Sequence, residues 1–179
     1  MPDYHLGSAI SKWNKEILSY IMPRMKLDEI DLNILGVLQN EARISNSALA
    51  EKVGLSPSPC LRRWRALEKD GVIRNYVTHL DRKALGLDIV AFISVRLEQQ
   101  AQSTIEHFET EIGKCEEVLE CYLMTGSSDY LLRVVAKDLS TFERFLKRKL
   151  TQIRGVATVE SSFALSKIKY TNALPLRET

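Results

Sequence analysis

The chain has 179 residues, of which 45% are hydrophobic and 27% are charged, and its formal net charge is +2. These values are typical of a globular chain with room for one large or two small domains. No apolar run approaches the roughly 20 residues of a membrane-spanning helix, and no secretory signal is visible, which predicts a cytoplasmic protein without a membrane partner. Because the net charge is small, any affinity for nucleic acid has to come from local clustering.

Cysteine and histidine usage argues against a disulfide framework and against a metal centre. The three cysteines form an odd count without CxxC spacing, and the three histidines are isolated from one another in sequence. This pattern is typical of reduced thiols in a cytoplasm. We predict no metal and no cofactor.

The first 24 residues carry a weak amphipathic pattern that ends at Pro23. The segment is not rich in arginine, which argues against a transit peptide. Two interpretations stay open. The segment is either a helical extension that adds to a dimer, or the result of a start site placed too early, with Met25 beginning the compact domain.

Three helices are predicted next. The first begins near Asp28, which can cap the N–H of the residue three positions on. The second is capped by Ser45 and ends at Gly54, where positive φ carries little steric cost. The third is expected to start with Ser58 as its N-cap and Pro59 at its first position, where the missing N–H does no harm.

The third helix has two different faces. At about 100° per residue, one side is basic and the opposite side is apolar, with Arg63 at the boundary. The basic side comprises Arg62, Arg65, Ala66 and Lys69, and the apolar side comprises Cys60, Trp64 and Leu67. Such a helix suits insertion into a DNA major groove, although a basic solvated face on an ordinary surface helix is the simpler alternative.

The predicted DNA-binding residues fall into two groups. Side chains near the two helix N-termini are placed to meet phosphates, because free N–H groups and the helix dipole favour anions there. Each arginine can contact a guanine edge or a phosphate; we assign Arg62 and Arg65 to bases, and Arg63 and Lys69 to the backbone. The full set is Ser45, Asn46, Ser56, Ser58, Arg62, Arg63, Arg65 and Lys69.

After Gly71 the apolar residues of the segment 72–80 suggest a short hairpin or strand, which would be either a wing against DNA or a linker strand within a dimer. The predicted divisions are an N-terminal extension (1–24), a helix-turn-helix DNA-binding domain (25–80), a hinge (81–86) and a second domain (87–179).

In the second domain the hydrophobic period changes from helical to alternating. Apolar residues at every second position from Leu87 to Leu97 predict a long strand with one buried face. Strands are also predicted at 118–125, 130–136 and 156–165, with helices capped by Ser103 and Ser140 between them. The six residues from Ser103 match the six from Ser140 at four positions.

Two β-α-β halves with the same helix start predict a ferredoxin-like βαββαβ fold of the α+β class, with both helices on one sheet face. The other face would carry Phe92, Tyr122 and Met124, which are too apolar for open water. A second copy of the chain is expected to cover it. A two-fold dimer would also present two recognition helices to a two-fold DNA site.

Several motifs in this order resemble the leucine-responsive regulatory protein/AsnC family of transcriptional regulators. They are LDEIDLNIL (27–35), RISNSALAEKVGLSPSPCLRR (43–63), LEKDGVI (67–73), TGSSDYLL (125–132) and SSFALSKIKYTNALPL (161–176). The resemblance covers residues 26–176. It implies a helix-turn-helix domain joined to a ferredoxin-like effector and oligomerisation domain, and dimers that assemble into tetramers or octamers. It also implies an amino acid effector bound near the loop that starts at Gly126.

A free amino acid needs an acceptor for its ammonium group, donors for its carboxylate and a pocket for its side chain. We predict that Asp129 accepts from the ammonium group and that Gly126 allows close backbone approach. In the simpler alternative, Asp129 only caps backbone N–H groups of a tight loop. The predicted effector-binding residues are Tyr122, Met124, Gly126, Ser127, Ser128, Asp129, Ser161 and Ser162.

The function predicted from these features is sequence-specific transcriptional regulation in response to a small amino acid. The last motif resembles a subgroup that controls amino acid metabolism or transport genes. One alternative is a nucleoid-organising protein that binds DNA without an effector. Another is a tetrapyrrole decarboxylase of related architecture, but the loop region has no histidine and the arginines cluster on the recognition helix, so we predict that the chain is not an enzyme.

Overall fold

The computed structural model describes residues 26–176. These residues form two compact units. The first contains residues 26–79 together with 169–176, and the second contains residues 80–168.

The first unit is built from three short helices. They are α1 (Glu29–Leu38), α2 (Asn46–Lys52) and α3 (Pro57–Lys69). Their apolar faces meet in one core, whose buried members are Ile34, Leu38, Ile44, Leu49, Ala50, Cys60 and Leu67. This is the helix-turn-helix arrangement that the spacing of apolar residues predicts.

Local capping explains where two of these helices begin. Asp28 caps α1 by accepting from the N–H of Asp31 at 2.9 Å, and Asp31 accepts in return from the N–H of Asp28 at 3.2 Å. Ser45 accepts from the N–H of Ala48 and caps α2. Both predicted caps are therefore confirmed.

The predicted start of α3 was wrong by two residues. The helix begins at Pro57, and Ser56 stands at the N-cap position. Both Pro57 and Pro59 fit within the first helical turn, where no intrahelical N–H bond is needed. The earlier proline can therefore start the helix, and Ser58 becomes part of its first turn.

The turn between α2 and α3 depends on Gly54, which has φ +70°. The N–H of Gly54 bonds to the carbonyl of Glu51, and the N–H of Leu55 bonds to the carbonyl of Ala50. These two bonds satisfy the last carbonyls of α2 in the pattern of a Schellman motif. The predicted positive φ at Gly54 is confirmed.

No strand forms in the segment 72–80, which corrects the prediction of a hairpin or strand there. Side chains hold the segment to α3 instead. The indole N–H of Trp64 donates to the hydroxyl of Tyr76 at 2.5 Å, and that hydroxyl donates to Glu68 at 2.7 Å. A β-strand needs backbone hydrogen bonds to an adjacent strand, and no described strand pairs with this segment.

The end of the described chain also differs from the prediction, because residues 169–176 pack with the first unit rather than with the second domain. The side chain of Gln39 accepts from the N–H of Leu174 at 2.9 Å and donates to its carbonyl at 3.2 Å. The side-chain amide of Asn172 lies 2.8 Å from the ring of His79. These long-range polar contacts hold the tail against the helical unit.

The second unit is an α+β layer structure with the ferredoxin-like order of elements. In chain order the elements are β1 (Ile89–Leu97), α4 (Gln102–Ile112), β2 (Val118–Leu123), β3 (Tyr130–Ala136), α5 (Leu139–Arg148), a short 3₁₀ helix (Leu150–Gln152) and β4 (Val156–Phe163). The strands form one antiparallel sheet in the order β2-β3-β1-β4. The predicted βαββαβ fold is therefore confirmed.

Both helices cover one face of this sheet. Ala91, Ile93, Val95 and Leu97 of β1 point into the core, as the alternating pattern predicts. They pack against buried residues of the other elements, which include Phe108, Ile112, Leu132, Val134, Phe142 and Phe145. The ring of Tyr130 lies 4.6 Å from that of Phe108 and closes the core beside α4.

The predicted serine caps of these two helices were wrong. Helix α4 begins one residue before Ser103, after Ala101, and has no side-chain cap. Helix α5 is capped by Asp138, which accepts from the N–H of Thr141 at 2.7 Å. A carboxylate is a stronger acceptor for the free N–H groups of a first turn than the hydroxyl of Ser140.

The predicted hinge, 81–86, lies inside the second unit as an ordered turn. The N–H of Leu87 bonds to the carbonyl of Arg82 at 2.8 Å, and Gly86 has φ +70°. The guanidinium group of Arg82 also donates to the carbonyls of Leu87 and Asp88. The boundary between the units therefore lies between His79 and Leu80.

Candidate DNA interface and effector region

Helix α3 carries one exposed polar stripe along its length. At 100° per residue, Ser58, Arg62, Arg65 and Lys69 fall within about 60° of one another. All four are exposed, and none of them forms a hydrogen bond or ion pair with another described residue. We call these four residues the reading face. Its side chains are free to meet base edges and phosphates.

The N-terminus of α3 offers fewer backbone donors than an ordinary helix. Pro57 and Pro59 lack an N–H, so Ser58 supplies the only free amide of the first three helical positions. The side chain of Ser56 makes no capping bond, which leaves its hydroxyl available. A phosphate at this end would therefore be held mainly by the hydroxyls of Ser56 and Ser58.

Arg63 does not belong to the reading face, because it is paired within the chain; its assignment to the DNA backbone stays a prediction. Its guanidinium group donates to Asp28 at 2.7 Å and to Asp31 at 2.8 Å. These carboxylates raise the pKa of Arg63, Asp31 more than Asp28. The pKa of Asp28 is lowered mainly by the N–H of Asp31, and also by Arg63. Arg63 thus ties α3 to the capped start of α1.

Asn46 also has a structural contact. Its side-chain amide donates to the carbonyl of Pro57 at 2.9 Å, so it joins the start of α2 to the start of α3. The prediction that Asn46 meets a phosphate stays a prediction. Ser45 is exposed, and after accepting from Ala48 it still has a hydroxyl hydrogen to donate.

The loop between β2 and β3 is held by Asp129, whose carboxylate accepts hydrogen bonds from other residues of the chain. One oxygen accepts from the N–H of Leu97 at 2.7 Å, and the other accepts from the side-chain amide of Gln100 at 2.9 Å. Its backbone bonds to Val95 and Met124. This arrangement matches the simpler alternative, in which Asp129 caps backbone N–H groups, and the predicted contact with an ammonium group stays a prediction.

The other predicted effector residues are not all brought together. Ser127 is exposed and Ser128 half-buried in the loop that contains Gly126, which has φ +129°. Ser161 and Ser162 lie on β4, whereas Tyr122 lies on β2, and these strands form opposite edges of the sheet. Three strand spacings, about 14 Å, separate them. Within one chain the structure therefore separates the β4 serines from Tyr122.

The sheet face opposite the helices carries several apolar side chains and is uncovered within the chain. We call it the open face; its residues include Phe92, Ser94, Tyr122, Leu131 and Arg133. Phe92 is 41% exposed and Tyr122 is 52% exposed, and Met124 beside the face is 40% exposed. The exposure expected for these three side chains is confirmed.

An ion pair that was not predicted from the sequence crosses the open face beside Phe92. Arg133 lies opposite Glu120 on one side and opposite Phe92 on the other. Its guanidinium group donates to Glu120 at 2.5 Å and lowers the pKa of that carboxyl. The sequence feature that could have indicated this ion pair is the single arginine in the otherwise apolar strand YLLRVVA.

No group of three or more metal-ligating side chains occurs among the described residues. Over the same part of the chain, no helix is long and apolar enough to cross a membrane.

A helix-turn-helix unit with an exposed basic helix, followed by a ferredoxin-like unit, defines the class of two-domain DNA-binding regulators. Comparison with protein-family models agrees with this division. Residues 27–74 match a family model described as winged helix-turn-helix DNA-binding. Residues 90–174 match the Lrp/AsnC ligand binding domain.

Curated relatives match nearly their whole length. The Bkd operon transcriptional regulator of Pseudomonas aeruginosa is 44% identical over 84% of this chain and 99% of its own. The leucine-responsive regulatory protein of Escherichia coli is 37% identical over 87% of this chain and 94% of its own. The chain belongs to the Lrp/AsnC family of transcriptional regulators, as its motifs predict, and its relatives are named as regulators rather than enzymes.

Solved structures of transcriptional regulators have a similar fold. A transcriptional regulator from Neisseria meningitidis in complex with L-Met has a TM-score of 0.82 and 42% identity, and the match covers 84% of this chain and 97% of that one. An AsnC family transcriptional regulator from Agrobacterium tumefaciens has a TM-score of 0.80 and 39% identity, with the same coverage.

Substitution of Arg63 separates its structural contact from a DNA contact. Arg63→Gln removes the charge that bridges Asp28 and Asp31, so we expect a lower melting temperature of the helical unit. Arg62→Gln, which removes an exposed and unpaired guanidinium group from the adjacent position, should leave that temperature unchanged. Differential scanning calorimetry measures both variants. Equal melting temperatures for Arg63→Gln and the parent would contradict the structural role.

Proposed function

We propose that this protein is a cytoplasmic, sequence-specific regulator that controls genes of amino acid metabolism or transport in response to a small amino acid. The observation that carries the proposal is the reading face, with its four exposed and unpaired polar side chains on a helix of a winged helix-turn-helix domain. The cytoplasmic location is supported by three free cysteines.

In the proposed complex, α3 lies in the major groove. Arg62 and Arg65 reach guanine edges, since a guanidinium group fits the two acceptors of guanine bidentately. Ala66 is exposed beside Arg62 and offers a methyl group to thymine. Ser58 and Lys69, at the two ends of the reading face, contact phosphates and set the position of the helix.

The regulator acts as a homodimer, and its dimers assemble further into tetramers or octamers. Support for the dimer comes from the open face, where the apolar side chains of Phe92, Tyr122 and Leu131 lie on a sheet whose other face is covered. A second copy that packs there removes this surface from water and is related to the first by a two-fold axis. Two reading faces then meet two DNA half-sites.

An amino acid effector is supported by two relatives: one is named as leucine-responsive, and one was solved as a complex with L-Met. We place the effector at the loop 124–129, near a contact between subunits. Exposed backbone at Gly126 and the hydroxyls of Ser127 and Ser128 supply donors for its carboxylate, and Met124 offers an apolar wall. Asp129 holds the loop to β1 and does not touch the ligand.

A DNA-binding comparison tests the reading face. On a duplex selected by the parent protein from a random pool, Arg62→Gln should lose about 1–3 kcal/mol of binding free energy, because a guanine edge loses its bidentate partner. On random DNA of the same length the loss should be small. Fluorescence anisotropy titration measures both.

Lys69→Gln is the matched control, since a phosphate contact should be lost equally on both DNAs and should lower the salt slope by about 1. Equal losses for Arg62→Gln on selected and random DNA would show that it touches only phosphate. If selection enriches no sequence, and selected and random DNA bind equally, the protein is a nucleoid-organising protein instead.

A thermal-shift screen of the twenty amino acids tests the effector, since a ligand that binds only the native state raises the melting temperature.

Calorimetric titration of the best ligand into Asp129→Asn then tests the role of Asp129. The amide keeps an oxygen for the N–H of Leu97, so affinity should change by only a few-fold. A direct bond from the carboxylate to the ammonium group would instead make the loss about 1.5–3 kcal/mol, which would contradict the positioning role.

A further inference from the structure

Helix α3 carries a single acidic residue, Glu68, among four basic ones. At about 100° per residue, Glu68 points about 60° away from Arg65, a member of the reading face, and the two residues are three positions apart. Side chains at this spacing are neighbours on a helix surface, and opposite charges there attract each other. An unrestrained carboxylate at Glu68 would therefore compete with DNA for the guanidinium group of Arg65.

The local sequence offers Glu68 no other basic neighbour on the helix. The positions three and four residues away on either side hold Trp64, Arg65, Gly71 and Val72. Lys69 is adjacent to Glu68 in sequence and points about 100° away from it, so the two side chains do not face each other. Ion pairing of Glu68 with its helix neighbours is therefore limited to Arg65.

The structure gives Glu68 a different partner, the hydroxyl group of Tyr76. That hydroxyl donates to Glu68 Oε1 at 2.7 Å and accepts from the indole N–H of Trp64 at 2.5 Å. An indole nitrogen can only donate, so the single hydrogen of the hydroxyl group goes to Glu68. Arg65 is exposed and forms no hydrogen bond or ion pair with another described residue. The carboxylate is thus held beside Trp64 while Arg65 stays unpaired.

The relative strength of the two interactions favours this arrangement. A hydrogen bond to a charged group contributes more than an exposed ion pair between helix neighbours. Partial burial raises the pKa of Tyr76, so its hydroxyl group stays protonated at neutral pH and keeps the hydrogen that it donates. The hydrogen bond leaves Glu68 charged and fixes the direction of its carboxylate. That direction is toward Trp64, which packs against the core of the helical unit.

We propose that Tyr76 is a positioning residue for DNA recognition, because its hydroxyl group holds the carboxylate of Glu68 away from Arg65. The inference rests on the proposed function, since it takes Arg65 as a DNA contact. Without the hydroxyl group, Glu68 turns to Arg65, and DNA has to displace the carboxylate before it can bind the guanidinium group. Tyr76 acts through these two charged side chains and not through a DNA contact of its own.

The test compares Tyr76→Phe with the parent on the selected duplex at low salt, by fluorescence anisotropy. The phenyl ring keeps the size of the side chain and removes only the hydroxyl group. Affinity should fall about two-fold, which is the competition expected from one exposed ion pair at this spacing, and the loss should shrink as salt screens the pair. Tyr170→Phe is the matched control. It removes a hydroxyl group that lies near His79, and it should bind like the parent.

Two double variants separate this role from a loss of packing around Trp64. In the Glu68→Gln background, Tyr76→Phe should have no effect on affinity, because no carboxylate remains to pair with Arg65. In the Arg65→Gln background it should also have no effect, because the guanidinium group is absent. The same loss in all three backgrounds would show that the hydroxyl group only supports the fold, and would overturn the inference. Parent affinity for Tyr76→Phe itself would overturn it as well.

Arg65→Gln alone tests the proposed function independently. It should weaken binding to the selected duplex more than binding to random DNA of the same length, as a contact with a base edge requires. If Arg65→Gln binds both DNAs like the parent, the assignment of Arg65 in the proposed function fails, and the inference fails with it. If Arg65→Gln is impaired but Tyr76→Phe still lowers affinity in that background, only the inference fails.

Discussion

A four-stranded sheet with helices on one face only is the constraint on which the account of this protein depends. Burial of the inner residues of β1 and β3 beneath α4 and α5 completes one core. The same strands necessarily present their alternate residues on the open face, where Phe92, Tyr122 and Leu131 lie beside the Arg133–Glu120 pair. Because a strand alternates its side chains, these apolar residues cannot be moved inward without exposing the core.

The helical unit obeys a different constraint, since its recognition helix must be both fixed and accessible. Arg63 fixes the helix through Asp28 and Asp31, and Trp64 fixes it through Tyr76. The residues one position away, Arg62 and Arg65, stay exposed. Adjacent positions on a helix point about 100° apart, which allows Arg63 to stabilise the unit while Arg62 and Arg65 stay exposed.

Most of the fold follows from local patterns in the sequence. Alternation predicts β1 and its buried face, although the strand begins at Ile89 rather than Leu87, and the predicted bounds of β3 agree with the structure. The caps at Asp28 and Ser45 form as their side-chain chemistry predicts. The exact first residues of α3 and α5 cannot be predicted in this way, because more than one nearby residue could start or cap each helix. Two prolines compete at the start of α3, and Asp138 competes with Ser140 at the start of α5.

The contacts of Arg63 and Asp129 do not follow from the sequence for a different reason, namely pairing over long sequence separation. Arg63 and Asp129 both have side chains that suit a ligand, but each is satisfied by partners about 30 residues away. The sequence cannot show which of several arginines finds a distant carboxylate. The position of residues 169–176 depends in the same way on Gln39, which lies 135 residues from Leu174.

The central claim is that two chains associate through their open faces, and sedimentation velocity of the Phe92→Asp variant tests it most directly. Leu139→Asp, which places the same charge at an exposed apolar position on α5, is the matched control. The account predicts that Phe92→Asp sediments as a folded monomer while Leu139→Asp keeps the assembly of the parent. A Phe92→Asp variant that keeps the sedimentation coefficient of the parent would contradict it.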